Sequence, residues 1–389
     1  MTTRHENHAV VVGAGIAGLL AARALSDHVA HVTILERTRV DDAVGAAPTA
    51  AGLWPACTLT PPTLALLEAR MPGLAGDLLR AGAVPVARDG APSNAYRPVD
   101  HPATLALTER LVLDTVRRRL LHDHPNVSVH DGVHAERALL TGRRITGVSA
   151  AGAAMNADLV VDATGRGAQL LASAIEDGVE APTATSVVLS MDYRTRIFAR
   201  SATAVAMAST ARDARGGRVA TLAPIEGDRW AVTLGTWPAR TAPTTPAGFS
   251  AAIETLGDPA LAMVVDGCEP RSSLGHATLA RTRLRRPHLS TTPLDGLVLV
   301  GDSLCTLDPL AGVSVRSASL QAHMLAAALS QHAVVSPELT AAYHRWAGAA
   351  VERPWREGSG AATVASRPRA QAPARVARSL ARLERSLAR

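Results

Sequence analysis

The chain has 389 residues, 47% of them hydrophobic and 19% charged, enough for two domains or one elaborated α/β domain with a sizeable core. Its 40 basic residues are all Arg, which removes lysine chemistry such as Schiff-base catalysis or a P-loop lysine. The net charge of +6 comes with interspersed acids and only 3% aromatic residues, against a nucleic-acid platform, and no run of about eighteen apolar residues predicts a membrane span.

In chain order, residues 8–12 (His-Ala-Val-Val-Val) read as a buried strand, 16–26 as a helix and 31–36 as a second strand, one βαβ unit. The chain passes almost directly into that strand, so no signal peptide is expected. Cys57, Cys268 and Cys305 are too few and too scattered for a disulfide framework or a metal site, and a cytoplasmic location is expected. A turn-rich segment over 37–62 precedes helices at 63–70 and 74–81, split by Pro72-Gly73. A strand at 104–107 leads into an amphipathic helix at 109–122, with Leu111, Val112, Val116 and Leu120 on its apolar stripe. Strands follow at 127–130, 133–140 and 145–150, with Thr141-Gly142 as a hairpin turn.

Period-two patterning over 187–198, 217–223 and 229–236 predicts a β-rich region, and 246–266 reads as helix interrupted at Gly257-Asp258-Pro259. A strand at 297–300 and helices at 312–330 and 337–352 follow. Beyond the linker-like 367–373, Val376, Leu380, Leu383 and Leu387 line one face of a basic amphipathic segment.

The chemistry begins at Gly13-Ala-Gly15-Ile-Ala-Gly18. Gly13 permits the tight turn, Gly15 lets the backbone approach a pyrophosphate, and Gly18 allows close packing of helix on strand. The helix start offers unpaired N–H groups to phosphate, and Glu36, followed by Arg37, ends the second strand where a carboxylate grips ribose hydroxyls. An acid there disfavours the 2′-phosphate of NADP and leaves FAD and NAD open.

A second piece lies far downstream. Leu297-Val-Leu-Val300-Gly301-Asp302 ends a buried strand on a Gly-Asp pair, and Asp308-Pro309-Leu-Ala-Gly312 precedes a helix. Together with Asp162-Ala-Thr-Gly165-Arg166-Gly167 and Arg110 at the start of a helix, this resembles the FAD-dependent monooxygenases of the p-hydroxybenzoate hydroxylase type. The likeness spans residues 8–356 and is nearest to a bacterial branch of hydroxylases and epoxidases of polyketide and terpenoid pathways.

The resemblance implies FAD, with Gly301 and Asp302 at the ribityl chain and Arg110 at the phosphates. Asp162 and Gly165 carry the middle motif, and Pro309 and Gly312 lie at the ring. It implies an α/β fold: a Rossmann-like FAD-binding domain with an interleaved β-rich substrate domain and C-terminal helices. The expected divisions are an FAD-binding domain over 1–88, 108–180 and 291–365, a substrate domain over 89–107 and 181–290, and a basic amphipathic tail over 366–389. The implied reaction is oxygen transfer from a flavin C4a-hydroperoxide to a small hydrophobic metabolite. NAD(P)H supplies electrons directly or through a separate flavin reductase. A flavoprotein dehydrogenase or reductase, and a non-redox cyclase or binding protein, are the alternatives.

The sequence departs from that branch in two places. Residues 44–59 lack the branch's Arg and His, and Trp54 in that loop is a candidate substrate contact, as is Tyr193 in the β-rich region. After Pro309, a Tyr-Gly-Gln-Gly-Met stretch is replaced by Ala311-Gly-Val-Ser-Val-Arg316, which puts a Cβ at Ser314. Arg316 is a candidate stabiliser of the anionic reduced ring; weakened flavin binding and a solvent-facing Arg316 are the other two readings.

Overall fold

The computed structural model describes residues 7–39, 56–86, 104–201, 204, 206–213, 217–237 and 241–359. Trp54 and the 366–389 segment lie outside the described residues.

The chain opens with β1 (His8–Val12), α1 (Ile16–Ser26) and β2 (His31–Glu36). It continues through β3 (Cys57–Leu59), α2 (Pro61–Glu68), α3 (Leu74–Arg80), β4 (Val84–Val86), β5 (Thr104–Leu107) and α4 (Glu109–Asp123). Next come β6 (Val127–Asp131), β7 (Ala135–Thr141), β8 (Arg144–Ala150), β9 (Ala153–Asn156), β10 (Leu159–Asp162) and α5 (Gln169–Glu176). The β-rich part holds β11 (Thr183–Ala199), β12 (Ser209–Arg212), β13 (Arg218–Ile225) and β14 (Arg229–Thr236), then α6 (Pro246–Glu254), α7 (Pro259–Gly267) and β15 (Gly275–Arg286). The chain returns through β16 (Leu297–Leu299) and β17 (Cys305–Thr306) to α8 (Ser314–Leu329) and α9 (Pro337–Gly358).

Five strands form a parallel sheet in the order β16-β10-β1-β2-β6. Its strands β10 and β16 are buried at every position, Leu159–Asp162 and Leu297–Leu299, because other elements cover the sheet: α1 packs on β1, β2 and β10, and α5 and β8 also pack on β10. The register aligns Val12 with Asp162 and Asp162 with Leu299, so three chain segments far apart in sequence end at one edge of the sheet. In open parallel sheets that carboxyl edge is where ligands bind.

A six-stranded antiparallel sheet, β12-β13-β14-β11-β15-β17, stands beside it. Alternation sends Phe198, Trp230, Val232 and Leu234 to one face, where they pack with Phe249, Ile253, Leu261 and Val264 of α6 and α7. The other face carries Tyr193, Thr195 and Ile197 toward the small sheet β3-β5-β4, with Ala223 packed on Val86 and Ala106. The strands β3, β4, β9, β15 and β17 were not expected from the sequence. In β15, Arg281, Arg283, Arg285 and Arg286 hide the alternation behind charge. Among the described residues, no helix is long and apolar enough to cross a membrane.

Candidate flavin site

Two cavities open at the carboxyl edge of the parallel sheet and share two residues, Gly15 and Ala163. The smaller, about 170 Å³, is walled by the Gly13–Gly15 turn, Leu35, Glu36, Arg37 and Thr38, with His134 and Gln169 opposite. The larger, about 330 Å³, runs from Gly15–Gly18 past Gly165, Arg166, Gly301 and Asp302 to Leu307, Pro309, Gly312, Ser314 and Val315. A dinucleotide has this shape: two halves joined at a diphosphate.

Two helix starts meet in the larger cleft. Neither α1, which begins beside Gly15, nor α8, which begins at Ser314, has a side-chain cap. The first N–H groups of both helices are therefore left for a ligand, and both positive dipole ends face one space. The Gly301 backbone bends onto α1 with φ +59°, and a Cβ there would lie 2.7 Å from the Ala17 Cβ. Only glycine lets the two halves of the fingerprint approach this closely.

Polar groups complete the site. Glu36 accepts hydrogen bonds from the Ala14 N–H at 2.8 Å and the Thr38 N–H at 2.9 Å, which fixes its carboxylate over the glycine turn. Asp302 faces the cleft with no hydrogen bond to its carboxylate among the described residues, and burial pushes its carboxyl up to about 6. Arg166 and Arg285 pull it down and Glu109 pushes it further up. Such an acceptor suits a polyhydroxylated chain. The glycine cradle, the uncapped N–H groups and the two acids therefore fit FAD.

The structure brings Gly13, Gly15, Gly18, Glu36, Arg37, Gly165, Gly301, Asp302, Pro309 and Gly312 together along the two cavities. Four other expected residues are placed differently. Arg110 turns away from the cleft to pair with Asp114 at 2.5 Å, and its neighbour Glu109 lines the wall instead. Asp162 is fully buried and accepts five hydrogen bonds from Thr164 N–H and hydroxyl, Leu170 and Leu171 N–H, and the Ser303 hydroxyl. It closes the turn into α5 and has no face left for a cofactor.

Tyr193 is sealed too: its hydroxyl donates to Asp308 Oδ1 at 2.9 Å, and the same oxygen accepts from the Leu310 N–H. Burial raises both the Tyr193 and the Asp308 pKa. Tyr193 thus holds the turn before α8. Arg316 is not among the cleft-lining residues; Ser314 and Val315 form that part of the wall.

Sequence reasoning missed Arg285, whose buried guanidinium donates to the carbonyls of Ser303 (2.7 Å) and Arg166 (3.2 Å). It staples the middle motif to the Gly-Asp turn. It also missed Cys57, on β3 in the cleft wall, whose thiol burial and Glu109 push up to about 12.

A family model described as tryptophan halogenase matches residues 111–355, well over half of the chain. The chain belongs to the tryptophan halogenase family. A second model, FAD dependent oxidoreductase, matches residues 9–181, the stretch that carries the first glycine turn and the middle motif. The protein is an FAD-dependent oxidoreductase, with FAD as its cofactor.

Protein Rv3254 of Mycobacterium tuberculosis is 28% identical over 391 residues, covering 87% of this chain and 77% of that protein. PqsL, a probable FAD-dependent monooxygenase from Pseudomonas aeruginosa, matches with a TM-score of 0.65 at 19% identity over 90% of this chain and 94% of that one. The tetrameric form of 2-methyl-3-hydroxypyridine-5-carboxylic acid oxygenase matches at 0.63 and 17%, covering 92% of each chain. The flavin-dependent brominase Bmp2 matches at 0.66 and 17%, covering 87% and 83%. The fold is the one that the resemblance to flavin monooxygenases implied.

Proposed function

We propose that this enzyme is a monooxygenase that hydroxylates or epoxidises a small hydrophobic metabolite of polyketide or terpenoid type, with NAD(P)H as electron source directly or through a separate reductase. The observation that carries the reading is the pair of cavities joined at Gly15 and Ala163, with one uncapped helix start beside that junction and a second at the far end.

In this reading Glu36 and Arg37 hold the adenosine half, and the N–H groups of α1 hold the diphosphate. Asp302 accepts from the ribityl hydroxyls, and the N–H groups of Gly312 to Val315 face the ring. Bound and reduced, FAD would supply the two electrons with which one atom of O2 passes to the substrate and the other leaves as water. The chain's own part is to orient and to keep water out: Leu279, Leu307, Pro309, Val315 and Ala318 give the cleft apolar walls. With Tyr193 sealed behind Asp308, the wall left for a substrate is Ala56, Cys57, Thr58 and Leu279.

Family membership and the likeness to a brominase favour a second reading, in which halide is oxidised in place of the organic substrate. One experiment separates them. The enzyme is incubated with FAD, NAD(P)H and a general flavin reductase under isotope-labelled O2, with polyketide and terpenoid substrates, with and without bromide. Labelled oxygen in the product supports the monooxygenase, and brominated product supports the second reading. Substrate-dependent NAD(P)H oxidation with neither overturns both in favour of a dehydrogenase.

A further inference from the structure

The larger cleft is built for an anion, yet its walls are acidic. Among the described residues that line it, Arg166 is the one base, while Glu109 and Asp302 are acids. Asp302 has a task there, as an acceptor for hydroxyl groups. Glu109 complements the dipole of α4 as its first residue, but no hydrogen bond or ion pair reaches its carboxylate among the described residues, and it lines the cleft.

Its position does not depend on its own charge. The N-terminus of α4 is capped by Thr108, whose hydroxyl accepts from the Leu111 N–H at 3.2 Å. Thr108 is in turn gripped by Glu226 from the β13–β14 turn, which accepts from its N–H at 3.0 Å and from its hydroxyl. The helix start is pinned by neighbours, and Glu109 is aimed into the cleft as a consequence.

Resting on the reading of the cleft as the FAD site, we propose that Glu109 sets this enzyme's flavin affinity: its carboxylate opposes the anionic diphosphate, so FAD is held loosely when Glu109 is ionised and tightly when it is neutral. Cys57 from β3 and Asp302 from the turn after β16 are the groups coupled to it, and Arg166 from the turn after β10 lines the same cleft. Glu226 grips the residue before it, and Arg110 and Asp114 pair with each other on α4 itself.

The protein around it raises the Glu109 pKa, and Glu109 in turn raises those of Cys57 and Asp302. A bound diphosphate adds negative charge and raises Glu109 further, so binding draws in a proton and affinity falls as pH rises. Asp302 contributes a titration of its own, whereas the Cys57 thiol, with its pKa near 12, stays neutral throughout this range.

The test is an FAD titration of the apoprotein, followed by flavin fluorescence at about pH 5 and about pH 8, for wild type, Glu109→Gln and Arg110→Ala. Wild type is expected to bind more weakly at the higher pH. Glu109→Gln is expected to bind about tenfold more tightly than wild type at the higher pH, with a smaller change between the two. Arg110→Ala, which removes a charge outside the cleft, is expected to stay within about twofold of wild type. A gain of affinity cannot come from misfolding. Wild-type or weaker binding by Glu109→Gln with an unchanged melting temperature overturns the proposal, and Glu109→Ala repeats the comparison should the Gln variant melt early. Failure of every variant to bind FAD overturns the flavin reading together with it. Binding without the Glu109 effect overturns this inference alone.

Discussion

Replacing Gly15 or Gly18 with Ala separates the site from the fold. A Cβ built on Gly15 meets nothing within 4 Å, and its φ of −67° and ψ of 172° suit Ala. The poorer helix cap costs about 0.5–1.5 kcal/mol, and the stiffer unfolded chain returns about 0.4–1 kcal/mol, so Gly15→Ala changes stability by about 1 kcal/mol at most. The same methyl protrudes where the two cavities meet, so FAD affinity is expected to fall by tenfold or more, about 1.4 kcal/mol.

Gly18 is the opposite case. A Cβ there would lie 1.9 Å from the Gly13 carbonyl oxygen and 3.2 Å from the Ala163 Cβ, so α1 must lift off the sheet. Overpacking of this kind costs about 1–3 kcal/mol, and a backbone clash this close belongs at the upper end. Thermal melts of the apoproteins together with FAD titrations make the comparison. If Gly15→Ala binds FAD like wild type, or melts as early as Gly18→Ala, the assignment of the two glycines is wrong.

Three further outcomes follow from buried polar groups. Tyr193→Phe removes the hydrogen bond to Asp308 and should cost about 1.5–3 kcal/mol in urea denaturation; an unchanged midpoint means the bond does not hold the turn. Asp162→Ala strands four donors, the Ser303 hydroxyl keeping the Gly165 carbonyl, and should cost about 3 kcal/mol or more, again by denaturation, whereas a loss of FAD binding at full stability would restore Asp162 as a cofactor ligand. His344, buried on α9, accepts from the Leu299 N–H at 3.2 Å, which requires an unprotonated Nε2, and burial followed by the nearby His288 pushes its pKa down to about 3. The unfolded chain takes up that proton near pH 6.5 and the folded chain does not, so stability should fall on acidification from about 6.5 toward 3, by up to about 1.4 kcal/mol per pH unit. His344→Gln should flatten this slope; the same slope in both proteins would refute the assignment.

The sheet that carries the site was legible because its signals are local. Apolar runs ending on Gly13 and on Gly301-Asp302 mark strand ends wherever they occur, and a parallel sheet brings such ends to one edge. What escaped was decided by three-dimensional detail. One residue along a helix is a turn of about 100°, so assigning the cleft to Arg110 rather than Glu109 missed by a single position and reversed the sign of the charge. Asp162 has the spacing of a ligand, but its oxygens are claimed by the start of α5, which the motif alone does not display. Arg285 and its strand were hidden because a buried arginine on a basic strand looks like a solvated one until the carbonyls it staples are known.

The account's central claim is that one ligand spans both helix starts. Backbone hydrogen exchange of the apoprotein, with and without FAD, tests it most directly. The amides of Gly15–Gly18 and those of Gly312–Val315 should slow together on addition of FAD, because the first set receives the diphosphate and the second the ring. Protection of the first set alone would mean that the far end of the cleft does not hold a flavin, and protection of neither would contradict the site as a whole.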